Sequence, residues 1–252
     1  MGYLHDGHAS LVRRARAECG VVAVSIFVNP TQFGPDEDFA AYPRDLERDL
    51  ALLAGEGVDV AFVPGADFYP RGADTAVTVG AAAEPLEGAF RPGHFRGVAT
   101  VVSMLFNAVR PDRAYFGEKD WQQLQVIRRM VRDLHVPVEI VAVPTTREPD
   151  GLAMSSRNVR LSPAERAAAL CVPRALGAVR AAFAGGERRP DALAAAMRAV
   201  LDAEPRATVD YAEVVDPETL HSIDRAEANS RAMVAVRLGS VRLIDNSSLG
   251  HL

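Results

Sequence analysis

Cysteine, lysine and long apolar runs are all scarce in this sequence. Two cysteines in 252 residues argue against a disulfide framework and favour a reducing compartment, which is typically the cytoplasm. The chain shows neither the pattern of a secretory signal nor an apolar run of membrane-spanning length. The net charge of −5 disfavours nucleic-acid and membrane-surface partners, since both need a basic face. We therefore expect a cytoplasmic protein that binds neither.

Lysine occurs once, at Lys119, and all the remaining residues among the 28 lysines and arginines are arginine. The planar guanidinium of arginine cannot replace the compact ammonium of lysine against a single anionic group. Lys119 is therefore a candidate binding residue, although a chance surface lysine would look the same in the sequence.

Apolar runs of strand length alternate with amphipathic helical segments in the first part of the chain. The runs are typical of strands buried on both faces of a parallel sheet, and they lie at 21–28, 59–64, 113–117 and 138–144. Apolar residues recur with helical spacing at Leu46, Leu50 and Leu53, within 94–110, and from Leu124 to Leu134. This alternation predicts an α/β fold with a Rossmann-like doubly wound parallel sheet.

The pattern changes after about residue 157. Two helical stretches are followed by three apolar runs that look like antiparallel strands, at 162–184, 190–203, 209–216, 232–239 and 241–245. We assign 1–146 to the Rossmann-like domain and 147–252 to a smaller C-terminal α+β domain.

Polar residues cluster in four loops, three of which follow a predicted strand: 2–8, 29–38, 117–123 and 147–158. In open α/β sheets ligands bind at the carboxyl ends of the strands, so the four loops predict one composite site. His5 and His8 precede a helix, whose free N–H groups favour an anion. They lack the further ligands that zinc needs, and two surface histidines on a turn are the alternative interpretation.

The remaining polar groups suggest a triphosphate. Lys119 and Arg157 supply positive charge, and Ser155 and Ser156 supply hydroxyl donors, as a phosphoryl transition state requires. No P-loop motif is present, so ATP would be held in another way.

Three further polar residues receive other assignments. Gln122 is expected to be a solvated helix residue, and His94 a helix cap or structural hydrogen-bonding residue. Most of the acidic stretch around residues 36–49 is expected to be solvated, but Asp49 is a candidate magnesium ligand.

The motifs HDGH and MSSRN resemble the signature pair of the class I aminoacyl-tRNA-synthetase-like nucleotidyltransferases. Longer segments, including MGYLHDGH, SIFVNPTQFGPDEDFAAYPRDLERD, EGAFRPGHFRGVATVVSMLFN, PDRAYFGEKDWQQLQVIRRMVRDL and TREPDGLAMSSRN, are similar to the pantoate–β-alanine ligase family. The resemblance runs from residue 1 to about 158, with a weaker match in VRLIDN at 241–246.

The resemblance implies an AMP-forming ligase of coenzyme A biosynthesis, which condenses pantoate with β-alanine through pantoyl adenylate and releases pyrophosphate. It implies ATP as substrate, Mg²⁺, a homodimer, and an M-S-S-R loop that acts as a lid over ATP. His5, His8 and Lys119 match catalytic positions, Gln32 and Gln123 match pantoate-binding positions, and Gln32 also serves β-alanine. The implied ATP contacts are Met1, Gly2, Tyr3, Leu4, His5, Asp6, Gly7, His8, Gly117, Glu118, Lys119, Asp120, Thr146, Met154, Ser155, Ser156 and Arg157. Thr146 departs from the valine common in the family.

Two other functions remain open at this point: a nucleotidyltransferase that acts on a phosphate monoester, and an inactive, truncated nucleotide-binding remnant. The second arises because an H-x-G-H turn normally follows a central strand. We expect that this first strand is missing, that Met1 is an internal methionine, and that the chain is unstable or binds ATP weakly.

Overall fold

The computed structural model describes residues 2–35 and 37–250 and divides the chain into two units. Unit 1 comprises Met1–Glu118 and Gln122–Thr146, and unit 2 comprises Lys119–Trp121 and Arg147–Leu252. The implied ATP contact of Met1 lies outside the described residues. The sequence placed Lys119–Trp121 in the first domain, whereas the structure groups this segment with unit 2.

Parallel strands and helices alternate in unit 1. The helices are α1 (Asp6–Glu18), α2 (Leu46–Gly55), α3 (Glu87–Phe90), α4 (His94–Val109) and α5 (Trp121–Asp133), and the strands are β1 (Ala23–Ser25), β2 (Val60–Phe62), β3 (Arg113–Gly117) and β4 (Glu139–Val143). β1 pairs in parallel with β2, and β3 pairs in parallel with β4. The predicted α/β class with parallel strands is confirmed. Among the described residues the strands form two pairs, and β1 spans only part of the predicted run at 21–28.

Helix α2 does not bury the stripe that its leucines predicted. Leu46 and Leu50 are exposed at 45% and 39%, whereas Asp49 and Leu53 are the buried residues of the helix. Leu53 belongs to a small core with Leu4, Val12 and Val24 of β1. A carboxylate therefore faces the protein interior from α2, and it needs polar partners there.

Unit 2 combines three helices with an antiparallel sheet. The helices are α6 (Pro163–Ala168), α7 (Cys171–Ala184) and α8 (Pro190–Leu201), and the strands are β5 (Ala207–Val215), β6 (Arg231–Leu238) and β7 (Val241–Ser248). The strand order is β5-β6-β7, with both pairings antiparallel, as predicted. Buried side chains of α7, α8 and the sheet form one apolar core.

One stretch of unit 2, Pro163–Ala184, is long and apolar enough by length and composition to cross a membrane. This corrects the expectation that no segment reaches that length. In the structure the stretch is divided between α6 and α7, and Val172, Leu176 and Val179 on α7 lie in the core of unit 2. The segment is apolar because it fills that core.

Candidate active site

The turn that precedes α1 is held by a buried carboxylate. The backbone N–H groups of Tyr3 and Leu4 donate to the two oxygens of Asp49, at 2.7 and 2.6 Å. Tyr3 adopts a φ of 51°, and such a left-handed residue lets consecutive N–H groups converge on one anion. Asp49 is 1% exposed, and Leu4 is fully buried. Asp49 therefore anchors the turn.

This anchoring does not fit the magnesium assignment of Asp49. Both of its oxygens already accept backbone hydrogen bonds, and burial leaves no room for the water ligands that Mg²⁺ usually keeps. Within residues 2–35 and 37–250, no group of three or more His, Cys, Asp or Glu side chains could hold a metal ion.

His5 and His8 lie together at the N-terminus of α1, as the sequence predicted. His5 is the N-cap, and its Nδ1 accepts from the N–H of Gly7 at 3.1 Å, while Nδ1 of His8 accepts from the N–H of His5 at 3.3 Å. The ring centroids are 4.1 Å apart. Because Nδ1 accepts in both rings, each neutral imidazole carries its hydrogen on Nε2. The pair therefore places two imidazole rings at a helix end that favours anions.

Hydrogen bonds connect Thr146 to the same turn. The Thr146 hydroxyl donates to the Ser10 hydroxyl at 3.2 Å, and Ser10 donates to the carbonyl of Gly7 at 2.8 Å. Gly2 also approaches its surroundings closely, because a Cβ there would lie 3.1 Å from Val28. Unit 1 thus brings Gly2–His8 and Thr146 together, and Gly117 and Glu118 come at the end of β3.

A 3-10 turn over Pro30–Gln32 carries the predicted pantoate glutamine. Asn29 is 3% exposed, and its Nδ2 donates to Oε1 of Gln32 at 3.2 Å and to the carbonyl of Gly97 at 3.1 Å. The Asn29 Oδ1 accepts from Thr31 and from the hydroxyl of Tyr69. Asn29 therefore orients the Gln32 amide, whose Nε2 has no hydrogen-bond partner within the described part of the chain.

The backbone of Gln32 is held by a charged cluster. Its carbonyl lies 2.8 Å from Nδ1 of His94, and Nε2 of His94 lies 3.2 Å from a nitrogen of Arg91. Since a carbonyl only accepts and a guanidinium only donates, His94 must be neutral with its hydrogen on Nδ1. Arg91 also pairs with Glu37 through two hydrogen bonds, at 3.0 and 2.6 Å. The sequence assignment of His94 as a structural hydrogen-bonding residue agrees with these contacts.

Burial, and then the charge of Arg91, lower the pKa of His94 from 6.5 to about 4. Burial alone would raise the pKa of Glu37, but the hydrogen bonds and charge of Arg91 outweigh it, so that this pKa is lowered. The two pKa shifts favour a neutral His94 and an ionised Glu37, which are the charge states in which the cluster holds Gln32.

Gln122 and Gln123 are adjacent in the sequence but lie in different environments, the first buried and the second partly exposed. Gln122 is 2% exposed, and its amide accepts from the N–H of Glu87 and donates to the carbonyls of Ala82 and Pro85. The prediction that Gln122 is solvated was therefore wrong, because its amide satisfies three buried backbone groups. Gln123 is partly exposed and has no hydrogen-bond partner among the residues described, which leaves its amide available to a ligand.

In unit 2, Ser155, Ser156 and Arg157 lie in a loop closed by its own hydrogen bonds. Arg147 and Ala153 form an antiparallel bridge across the base of the loop. Ser155 caps a short 3-10 helix by accepting from the N–H of Arg157 at 3.2 Å, and Ser156 is buried. Met154 immediately precedes this cap.

Lys119 and Asp120 belong to the short segment of unit 2 that precedes the rest of α5. The ammonium of Lys119 lies 3.7 Å from the Asp120 carboxylate, and its side chain is 20% exposed. The Lys119 carbonyl accepts from Nδ2 of Asn246 at 2.8 Å.

The sequence missed Asn29 and Asn246 as site-supporting residues. Asn29 carried a usable signal, because an asparagine before Pro-Thr after an apolar strand is typical of a capped turn. Asn246 lay in VRLIDN, a motif to which no role was assigned.

The fold and these polar groups are typical of an α/β enzyme that works on small anionic substrates. The sequence model described as pantoate–β-alanine ligase matches residues 1–248. A pantothenate synthetase of Roseiflexus castenholzii is 63% identical over 99% of this chain and 90% of its own length. The crystal structure of pantothenate synthetase from Thermus thermophilus has a TM-score of 0.96 and 54% identity, covering 99% of this chain and 91% of that one.

A more distant structure gives the same result. Pantoate–β-alanine ligase from Francisella tularensis, complexed with beta-gamma ATP and β-alanine, has a TM-score of 0.80 and 35% identity over 100% of this chain and 88% of its own. The chain belongs to the pantoate–β-alanine ligase family, whose enzymes join pantoate to β-alanine.

The structure gives the H-x-G-H turn an anchor that the sequence did not predict. The family model matches the chain from residue 1, and the H-x-G-H turn has its anchor in Asp49.

Proposed function

We propose that this chain condenses pantoate with β-alanine in two half-reactions that consume ATP and pass through pantoyl adenylate. The family match over residues 1–248 supports the overall reaction, and the Francisella tularensis relative was crystallised with an ATP compound and β-alanine. The observation that carries the proposal is the capped pair His5 and His8, which lies at a helix N-terminus that favours an anionic ligand.

In the first half-reaction, a pantoate carboxylate oxygen attacks the α-phosphorus of ATP. A P–O bond forms to the carboxylate, the bond to the bridging oxygen breaks, and pyrophosphate leaves with that electron pair. Negative charge grows on the phosphate oxygens, and hydrogen-bond donors already in place stabilise it. We assign this role to His5, His8, Lys119, Ser155 and Arg157, and the proton-donating role to His8.

Two neutral amides are assigned to pantoate. Gln32 is oriented by Asn29, and the amide of Gln123 is available. Neither carries a charge that would form an ion pair with the carboxylate and weaken it as a nucleophile. These groups hold the acid for attack, and such positioning supplies much of the acceleration when no covalent intermediate forms with the protein.

In the second half-reaction, the β-alanine amine attacks the acyl carbon of pantoyl adenylate near Gln32. The C–N bond forms, the acyl C–O bond to phosphate breaks, the nitrogen loses a proton, and AMP leaves. We propose that magnesium enters as Mg–ATP, since Mg²⁺ is usually held largely by substrate phosphates and water, and both oxygens of Asp49 already accept backbone hydrogen bonds.

The remaining ATP contacts are proposals that follow the family match residue by residue, at Met1–His8, Gly117–Asp120, Thr146 and Met154–Arg157. We also propose that 1–146 and 147–252 are the functional domains, the second carrying the M-S-S-R loop as a lid. A cytoplasmic location is supported by the free Cys19 and Cys171, and a homodimer by the resemblance alone. Light scattering of the purified protein tests the dimer.

Pantoate-dependent exchange of pyrophosphate into ATP, measured without β-alanine, tests the first half-reaction. The full reaction must release AMP, since ADP would indicate an acyl phosphate intermediate. Exchange that requires a phosphate monoester in place of pantoate would support the rival nucleotidyltransferase, and no exchange would support the inactive remnant.

His8→Asn separates the chemistry of His8 from its capping role. Asparagine can still accept from the N–H of His5, but it lacks the Nε2 donor. We expect exchange to fall by about 10²- to 10³-fold with little change in thermal unfolding. His221→Asn, at an exposed histidine of unit 2, is the matched control. Normal exchange by His8→Asn would overturn the assignment.

A further inference from the structure

Two adjacent buried polar residues of β7, Asp245 and Asn246, hold two separate segments of unit 2. Each is 2% exposed, in a strand whose other buried residues are apolar. A buried carboxylate and a buried amide destabilise a sheet unless their hydrogen bonds are satisfied. The hydrogen-bond partners of Asp245 and Asn246 therefore indicate the role of the pair.

Asn246 holds the segment that carries Lys119. Its Nδ2 donates to the Lys119 carbonyl at 2.8 Å, and its Oδ1 accepts from Nε of Arg231 at 2.7 Å. The Arg231 guanidinium lies over the ring of Trp121, 3.6 Å from its centroid, and Trp121 donates to the carbonyl of Pro217 at 2.7 Å. Lys119 is thus bonded directly to β7, and Trp121 is held by Arg231 of β6 and by the carbonyl of Pro217.

Asp245 holds the base of the loop that carries Ser155 and Arg157. Its two oxygens accept from Arg147 at 2.6 and 3.1 Å, and Arg147 also donates to the carbonyl of Gly151 at 3.0 Å. The Asp245 carboxylate further accepts from the backbone N–H of Asn246 at 2.8 Å. One pair of side chains therefore connects the lysine segment and the serine-rich loop.

We propose that Asp245 and Asn246 are positioning residues that set the spacing between Lys119 and the Ser155–Arg157 loop. This inference rests on the proposed function, in which both segments bind the triphosphate. A rigid link matters because donors must be in place before charge develops on the phosphate. Asp245 and Asn246 do not touch substrate in this scheme. They act through Lys119 and through Arg147.

Asn246→Asp tests the link with minimal change of shape. Aspartate keeps the acceptor for Arg231 but replaces the donor to the Lys119 carbonyl with an oxygen. We expect kcat for pyrophosphate exchange to fall by about 10- to 100-fold while KM for ATP changes much less. Ser247→Ala is the matched control, because its buried hydroxyl on the same strand has no hydrogen-bond partner among the described residues. That variant should behave like the unsubstituted protein.

A double-mutant cycle separates positioning from general stability. If Asn246 acts through Lys119, Asn246→Asp should cause little further loss of exchange in a Lys119→Ala background. Multiplied losses in the double variant, or normal exchange by Asn246→Asp, would overturn the proposal.

The tether itself is measurable without catalysis, because Trp121 is the only tryptophan of the chain. Asn246→Ala removes both hydrogen bonds, so acrylamide should quench Trp121 fluorescence more strongly than in Ser247→Ala, with folding checked by circular dichroism. Unchanged quenching in a folded Asn246→Ala would refute the tether. Absence of exchange in the unsubstituted protein would instead count against the proposed function, while the fluorescence result still decides the tether.

Discussion

Replacing Asp49 should destabilise the protein even when magnesium and ATP are absent. Asp49→Ala leaves the N–H groups of Tyr3 and Leu4 without their carboxylate, and Leu4 has no access to water. An unsatisfied buried donor costs about 1–3 kcal/mol, and the partly buried Tyr3 belongs at the lower end of that range. We therefore expect a loss of about 3 kcal/mol from a typical total of about 5–15 kcal/mol.

In a chain of this length, a loss of about 3 kcal/mol lowers the melting temperature by roughly 6–12 °C. The assay is thermal unfolding in EDTA without nucleotide, with Glu47→Ala as control, because it removes one exposed carboxylate from the same helix. If Asp49→Ala melts like Glu47→Ala but needs more magnesium for activity, Asp49 is a metal ligand and our assignment fails.

Three further predictions follow from named contacts. Lys119→Arg should reduce pyrophosphate exchange at least about 10-fold without a change in melting temperature, because the planar guanidinium of arginine cannot replace a compact ammonium. Normal exchange would contradict the role of Lys119. Gly97→Ala places a Cβ 2.4 Å from the Thr31 carbonyl and should cost about 1–3 kcal/mol in denaturant unfolding. The control is Gly177→Ala, whose Cβ meets nothing within 4 Å and should leave stability unchanged or higher. Because the pKa of His94 falls from 6.5 to about 4 on folding, its contribution is present above pH 6.5 and lost as pH falls toward 4, about 3 kcal/mol in total. The free energy of unfolding in urea, measured across this pH range, should fall by that amount in the unsubstituted protein and by less in His94→Gln. An equal fall with pH in the two proteins would contradict the assignment.

Features that depend on neighbours in the chain could be predicted from the sequence. Strand β3 spans the predicted 113–117, and the C-terminal strands are antiparallel as expected, because apolar periodicity and turn residues act over a few positions. The family was also recognisable, since HDGH and MSSRN are contiguous motifs.

Features that depend on distant pairs needed the tertiary structure. Asp49 was a candidate magnesium ligand within a stretch otherwise expected to be solvated, and only its contact with Tyr3, 46 positions away, identifies it as an anchor. Gln122 and Gln123 are indistinguishable in the sequence, but the folded chain brings Ala82, Pro85 and Glu87 to Gln122 alone. Lys119 was assigned to the first domain by position, yet Asn246, 127 residues later, fastens it to unit 2. The physical reason is the same in each case. A buried polar group is defined by the partner that satisfies it, and when that partner is remote in sequence only the fold determines which group it is.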